Sequence, residues 1–260
     1  MNEFDERPTD QPPRAHGALR TALAWGVHFY TALGLVAAAG IAVLIVQGGH
    51  ESFRLAFLLM IVATLIDATD GTLARAVRVK DVLPGFDGRR LDDIVDFLTY
   101  TFLPLLLVWR AGLVPEGQEL WLLLPLLASA YGFCQVSAKT DDGYFLGFPS
   151  HWNLVAFYLY ALGLPGWLSL VIVVGLALLT FVPSRYLYPT QKGRLNWWTN
   201  VLAAPWALVL VYLAWDLPAP GDGPGPLVLA SLYFPLYYMA ASWVVTLRIW
   251  RRDIAARGET

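Results

Sequence analysis

The sequence predicts an all-α polytopic integral membrane protein with about eight transmembrane helices, and three observations predict it. Hydrophobic residues make up 57% of the 260-residue chain. Charged residues make up only 15%, against roughly a quarter in an average soluble domain. The apolar residues also gather into eight runs, near 22–46, 53–74, 91–109, 120–138, 151–164, 166–183, 197–217 and 226–249. Most of these approach the roughly 20 residues a helix needs to cross the hydrocarbon core.

The first run follows a polar, Pro-rich stretch, so residues 1–20 are expected to be a cytoplasmic tail and not a cleavable signal peptide. The fifth run is the shortest. Pro149 and the turn Gly163-Leu164-Pro165-Gly166 set its ends, and a six-span core with a re-entrant pair is the other arrangement the pattern allows. With the N-terminus in the cytoplasm, all but Arg54 and Arg110 of the 18 Lys and Arg fall on the inner side, as the positive-inside rule requires. Trp25, Trp109, Trp121, Trp152, Trp197, Trp198 and Trp250 lie near run ends, where interfacial aromatics sit. The single cysteine, Cys134, excludes an intrachain disulfide and a Cys-based zinc site. A net charge of −2 offers no argument for nucleic acid, and no such partner is expected.

Four acids depart from the pattern of tails and loops. Asp67, Asp70, Asp92 and Asp96 lie in or beside apolar runs, where an ionised group is costly and marks function. Asp67, Asp70, Gly71, Ala74 and Arg75 repeat at i, i+3, i+4, i+7, i+8 and share one helical face. Gly88, Asp92 and Asp96 repeat at i, i+4, i+8 at the start of the third run. A loop joins the two helices, so antiparallel packing lets the acidic faces meet. Four carboxylates so close cannot all stay ionised unpaired. One or two divalent ions resolve this, and hard oxygen ligands favour Mg²⁺ or Mn²⁺. A salt-bridge network with Arg75, Arg78, Arg89 and Arg90 would also use the acids, but gives no reason for the small residues in phase with them. Gly71 and Ala74 clear that face, and Arg75 can clamp phosphate oxygens bidentately.

The string Asp67-x2-Asp70-Gly71-x2-Ala74-Arg75-x12-Gly88-x3-Asp92-x3-Asp96 resembles the signature of the CDP-alcohol phosphotransferase family. Most members have a shorter spacer before the second Gly. The twelve residues from Ala76 to Asp87 resemble the bacterial phosphatidylcholine synthase branch, which condenses choline with CDP-diacylglycerol. The segments Val27–Thr31, Gly147–Asn153 and Pro183–Tyr186 are similar to the same branch. The resemblance implies a six-helix catalytic core within a transmembrane domain over 21–250, with a cytoplasmic tail at 251–260. It implies Asp67, Asp70 and Asp92 as metal ligands, Asp96 as general base and further metal contact, and Gly71, Ala74, Arg75 and Gly88 as holders of CDP. It further implies a homodimer in the bacterial inner membrane, with the site near the cytoplasmic face and both termini cytoplasmic.

On that resemblance, Asp96 takes the proton of a small alcohol, which attacks the phosphorus bearing diacylglycerol and expels CMP. A quaternary ammonium is held by aromatic faces; Tyr100, Tyr131, Trp152 and Tyr186 are the foremost candidates, with Tyr144 and Tyr188 beside them. Tyr100 shares the helical phase of the site. Arg185 and Lys192 are candidate contacts to lipid phosphates, and His28 and Thr31 are either nucleotide contacts or a satisfied polar pair. A sibling enzyme using serine or a polyol phosphate is one alternative; a phosphorylated acceptor would want a denser basic cluster. A cation transporter with buried carboxylates is another, and CMP release from CDP-lipid separates it from an enzyme.

Overall fold

The computed structural model describes residues 17–135, 143–187, 194–219 and 223–258. Helix falls on each of the eight expected runs. In chain order the helices are α1 (Ala18–Gln47), α2 (His50–Val77), α3 (Val79–Val82), α4 (Gly88–Asp96), α5 (Leu103–Arg110), α6 (Leu123–Cys134), α7 (Trp152–Leu162), α8 (Gly166–Leu179), α9 (Arg194–Trp215), α10 (Pro226–Ser231) and α11 (Tyr233–Gly258). Segments Ala18–Gln47, His50–Val77, Arg194–Trp215 and Pro226–Ala255 are each long and apolar enough to cross a membrane. The protein is therefore an all-α, multi-pass membrane protein. At 1.5 Å per residue, the 11 residues of α7 reach only about half of the ~30 Å hydrocarbon core. Helix α1 begins at Ala18 and α11 runs on to Gly258.

The third run is one helical rod with a changed pitch. Helix α4 passes through a π-helical turn, Phe97–Phe102, into α5. Its start is fixed by Asp87, whose carboxylate accepts from the backbone N–H of Arg89 at 3.1 Å and of Arg90 at 3.3 Å, an N-cap. Arg90 also pairs with Asp87 at 3.2 Å.

Helices α1, α2 and α4 form the scaffold of the acidic region. The α1–α4 contact depends on small residues, as membrane helix packing commonly does. Gly34 of α1 receives the Val95 side chain, and Gly88 of α4 receives the His28 ring. A methyl carbon at position 88 would lie 2.5 Å from His28 Cε1.

Two three-residue strands were not foreseen: β1 (Tyr144–Leu146) and β2 (Arg185–Leu187) pair antiparallel, with Phe145 opposite Tyr186. Helix α11 closes the outer edge of β2. Thr246 Oγ1 accepts from the Arg185 N–H at 2.8 Å, Ser242 Oγ accepts from the Leu187 N–H at 3.2 Å, and the Tyr238 hydroxyl donates to the Leu187 carbonyl at 3.0 Å. A sheet edge in an apolar setting must be satisfied in this way. Beyond β1, Gly147 has φ 82° and lies against the Thr180 carbonyl so closely that no side chain fits. The chain then enters α7 through Pro149-Ser150-His151.

Candidate active site

Asp67 and Asp70 stand three residues apart on α2, and Asp92 faces them from α4. One carboxylate oxygen from each lies within 4.8 Å of the others. Asp70 is buried at 6% exposure, while Asp67 and Asp92 are half-buried. The facing of the two acidic stretches follows from the α1–α4 and α1–α2 packing, which holds both against one helix. Asp96, one turn beyond Asp92, is half-buried, and its Oδ1 is enclosed with no hydrogen-bond partner among the described residues. An all-carboxylate donor set with an enclosed fourth acid suits a hard divalent cation. The three clustered acids can hold a metal ion, and the residues fit such a group.

Two hydroxyls reach the acids from outside the acidic string. Thr31 of α1 donates to Asp70 Oδ2 at 2.8 Å, and Tyr100 of the π turn donates to Asp67 Oδ2 at 2.8 Å. Thr31 thus belongs with the acids as well as with its own helix, where it also reaches the Val27 carbonyl at 3.4 Å.

The remaining expected residues separate. Arg75 is exposed, and its guanidinium arches over Gly71, with Nη1 3.4 Å from where a methyl would stand and Nη2 donating to Thr72 at 3.0 Å. Ala74 packs with Val77 and Leu83 against a small apolar cluster of Ala24, Val27, Val79 and Val82. Gly88 has its open side filled by His28, whose ring lies 4.3 Å from that of Phe86. Arg185 lies in β2, its backbone bonded to Thr246. Lys192 and Tyr188 lie outside the described residues.

Of the four foremost aromatic candidates, the structure brings Tyr100 to the acids. Trp152 is 1% exposed and donates to Ser129 Oγ at 2.8 Å, its ring against Phe148. Tyr186 is fully buried between Phe148 and Tyr238. Tyr131 is half-exposed against Phe181, and Tyr144 pairs with Leu187 in the strands.

A cavity of about 260 Å³ adjoins Tyr100 on the side away from Arg75. Its polar end is formed by Tyr100, Thr64, His151 and Asn153, and its apolar walls include Phe57 and Trp206. The ring of His151 lies 5.8 Å from that of Tyr100. Leu65 and Val211, also on its walls, are exposed toward the surface between α2 and α9. Sequence periodicity did not single out His151, Asn153 or Trp206 for a shared wall, because they come from two helices distant in sequence.

No family model matches the chain. Among curated proteins it is similar to a phosphatidylcholine synthase of Pseudomonas aeruginosa, 34% identical over 238 residues, covering 90% of this chain and 93% of that protein. It is 40% identical over 197 residues to one of Bradyrhizobium diazoefficiens, covering 75% of this chain and 72% of that protein. A third, from Legionella bozemanae, is 40% identical over 149 residues, 56% of this chain and 68% of its own length.

Proposed function

The chain belongs to the phosphatidylcholine synthase family, and on that premise we propose that it transfers the phosphatidyl group of CDP-diacylglycerol to choline, yielding phosphatidylcholine and CMP. The acidic cluster carries this reading: three carboxylates from two helices with ligand atoms within 4.8 Å, and a fourth acid enclosed one turn deeper.

Asp67, Asp70 and Asp92 would hold one or two divalent cations, Mn²⁺ or Mg²⁺, and a bound ion would supply charge neutralisation at the diphosphate and a lowered pKa for the alcohol. Asp96 accepts the hydroxyl proton of choline through a carboxylate oxygen that has no hydrogen-bond partner among the described residues. The choline oxygen forms a bond to the phosphorus carrying diacylglycerol. The bond from that phosphorus to the bridging oxygen breaks, and CMP departs. Arg75, exposed above the cleared face at Gly71, binds the phosphate oxygens and offsets the charge left on CMP. Ala74 and Gly88 complete the CDP side of the site, the first by its small size and the second by letting α4 approach α1.

The diacylglycerol moiety extends the other way. The cavity beyond Tyr100, largely apolar and open between α2 and α9, receives an acyl chain, with Thr64 and Asn153 at the level of the glycerol esters. The choline ammonium lies at the acidic mouth, with the Tyr100 and His151 rings nearest it. Arg185 and Lys192 are lipid-phosphate contacts in the same reading. The distribution of Lys and Arg supports a bacterial inner-membrane protein with the site at the cytoplasmic face and both termini inside, and the family resemblance supports a homodimer.

The test uses purified protein in detergent with CDP-diacylglycerol, radiolabelled choline and each metal in turn. Metal-dependent formation of labelled lipid together with CMP is expected. Incorporation of serine but not choline would overturn the acceptor, and no CMP release with any acceptor would overturn the enzyme reading.

A further inference from the structure

We propose that Thr31 and Tyr100, both outside the acidic string, are positioning residues that hold the metal-binding carboxylates in place before the ion arrives; this rests on the metal reading above. Each donates a 2.8 Å hydrogen bond to Oδ2 of one acid, Thr31 to Asp70 and Tyr100 to Asp67. Both donors are buried, at 7% and 8% exposure. They approach from different elements, α1 and the π turn, and so pin two neighbouring acids of α2 independently. A hydrogen bond to an ionised acceptor is stronger than a neutral one, and a ligating carboxylate held this way loses less freedom when it binds.

The π turn is what brings Tyr100 to Asp67. In a regular α-helix four residues overshoot a full turn by about 40°, so a face running through Asp92 and Asp96 would drift further by position 100. The wider π turn takes back that overshoot and returns Tyr100 to the line of the acids. From there the phenol reaches across to Asp67 of α2. Such turns recur at functional sites.

Hydroxyl bonds between membrane helices also occur as plain structural contacts, and the molecule contains the control. Tyr30 bonds Thr69 at 2.8 Å, linking α1 to α2 without touching a carboxylate. Mn²⁺ is titrated onto the full-length protein in detergent without substrates, and free Mn²⁺ is read by electron paramagnetic resonance. Thr31→Val and Tyr100→Phe should each raise the apparent dissociation constant 10- to 100-fold, on the order known for carboxylate partners. Thr31→Ser should restore near-normal binding, and Tyr30→Phe should leave it unchanged. Turnover of Thr31→Val should recover at saturating metal, with the KM for choline unaltered. Unchanged Mn²⁺ affinity in both Thr31→Val and Tyr100→Phe would overturn the proposal, as would an equal loss in Tyr30→Phe. If Tyr100→Phe fails to fold, Thr31→Val and its serine rescue decide. Wild-type protein that binds no Mn²⁺ and gives no metal-dependent turnover would instead overturn the metal reading itself.

Discussion

Gly88→Ala puts a methyl carbon 2.5 Å from His28 Cε1 and 3.0 Å from Nδ1. Non-bonded carbons rest at about 3.5–4.0 Å, so helix and ring must part by about 1 Å. His28 is buried and bounded by Trp25 and Phe86, which leaves the start of α4 as the part that moves. Overpacking of this kind costs about 1–3 kcal/mol of stability. Asp92 is one turn further along α4, and a displacement near 1 Å at a reacting centre costs on the order of 100-fold in rate. Gly88→Ala is therefore expected to slow choline incorporation about 100-fold in purified protein that still folds. Removing the obstructing ring should undo this, so His28→Ala combined with Gly88→Ala should recover to within about tenfold of His28→Ala alone, a coupling of the size expected for touching residues. A double variant as slow as Gly88→Ala alone, with both well folded, would refute the argument. Gly88 would then matter for room it gives the nucleotide and not for how α4 meets α1.

Asp96→Asn should lower turnover by about 10²–10⁴-fold, the usual weight of a general base, while binding of CDP-diacylglycerol by fluorescence or calorimetry stays within a few-fold. Near-normal turnover would remove Asp96 from that role. Ala207→Trp should fill the mouth of the cavity lined by Phe57 and Trp206 and raise the KM for CDP-diacylglycerol more than that for choline. An equal rise for both, or a rise for choline alone, would reassign the cavity. Tyr158→Phe strands the Trp206 indole N–H, which donates to the Tyr158 hydroxyl at 2.9 Å, and cuts the bond to Ser231. A loss of about 1–3 kcal/mol is expected, read as a lower midpoint of thermal unfolding in detergent.

Much of this molecule is legible in its sequence, for a specific reason. Membrane helices are marked by length and composition alone, and the phase of Asp67, Asp70 and Arg75 along α2 follows from 3.6 residues per turn. The facing of Asp92 was legible because a short connection forces neighbouring helices together. Harder to read were features fixed by contacts distant in sequence. Strands of three residues carry no usable period, and the pairing of Tyr144–Leu146 with Arg185–Leu187 spans two intervening helices. Trp152 and Tyr186 had the right chemistry for an ammonium ligand, yet both are enclosed in the core, as large aromatics in an apolar chain often are. Tyr100 had the right phase, but its bond to Asp67 depends on a π turn that nothing in Phe97–Phe102 announces. Thr31 reads from sequence as a nucleotide contact or as half of a polar pair with His28, because one threonine in a long apolar helix gives no hint of a partner 39 residues away.

The two-stranded sheet closed by α11 bears on how the protein is made. The N–H groups of Arg185 and Leu187 find their acceptors on Thr246 and Ser242, which leave the ribosome some 55–61 residues later. Until then those amides face an apolar environment or stay at the water boundary, at a cost of several kcal/mol if left unmet within the bilayer. The segment leading to His151 is tied to that strand pair through Gly147, whose N–H donates to the Ser184 carbonyl at 2.8 Å. The acids of α2 and α4 thus precede both strands in the chain, while the hydroxyls that complete β2 come from α11, after them. A chain truncated before Ser242 would keep the acids of α2 and α4 and lack the α11 hydroxyls that meet the backbone of β2.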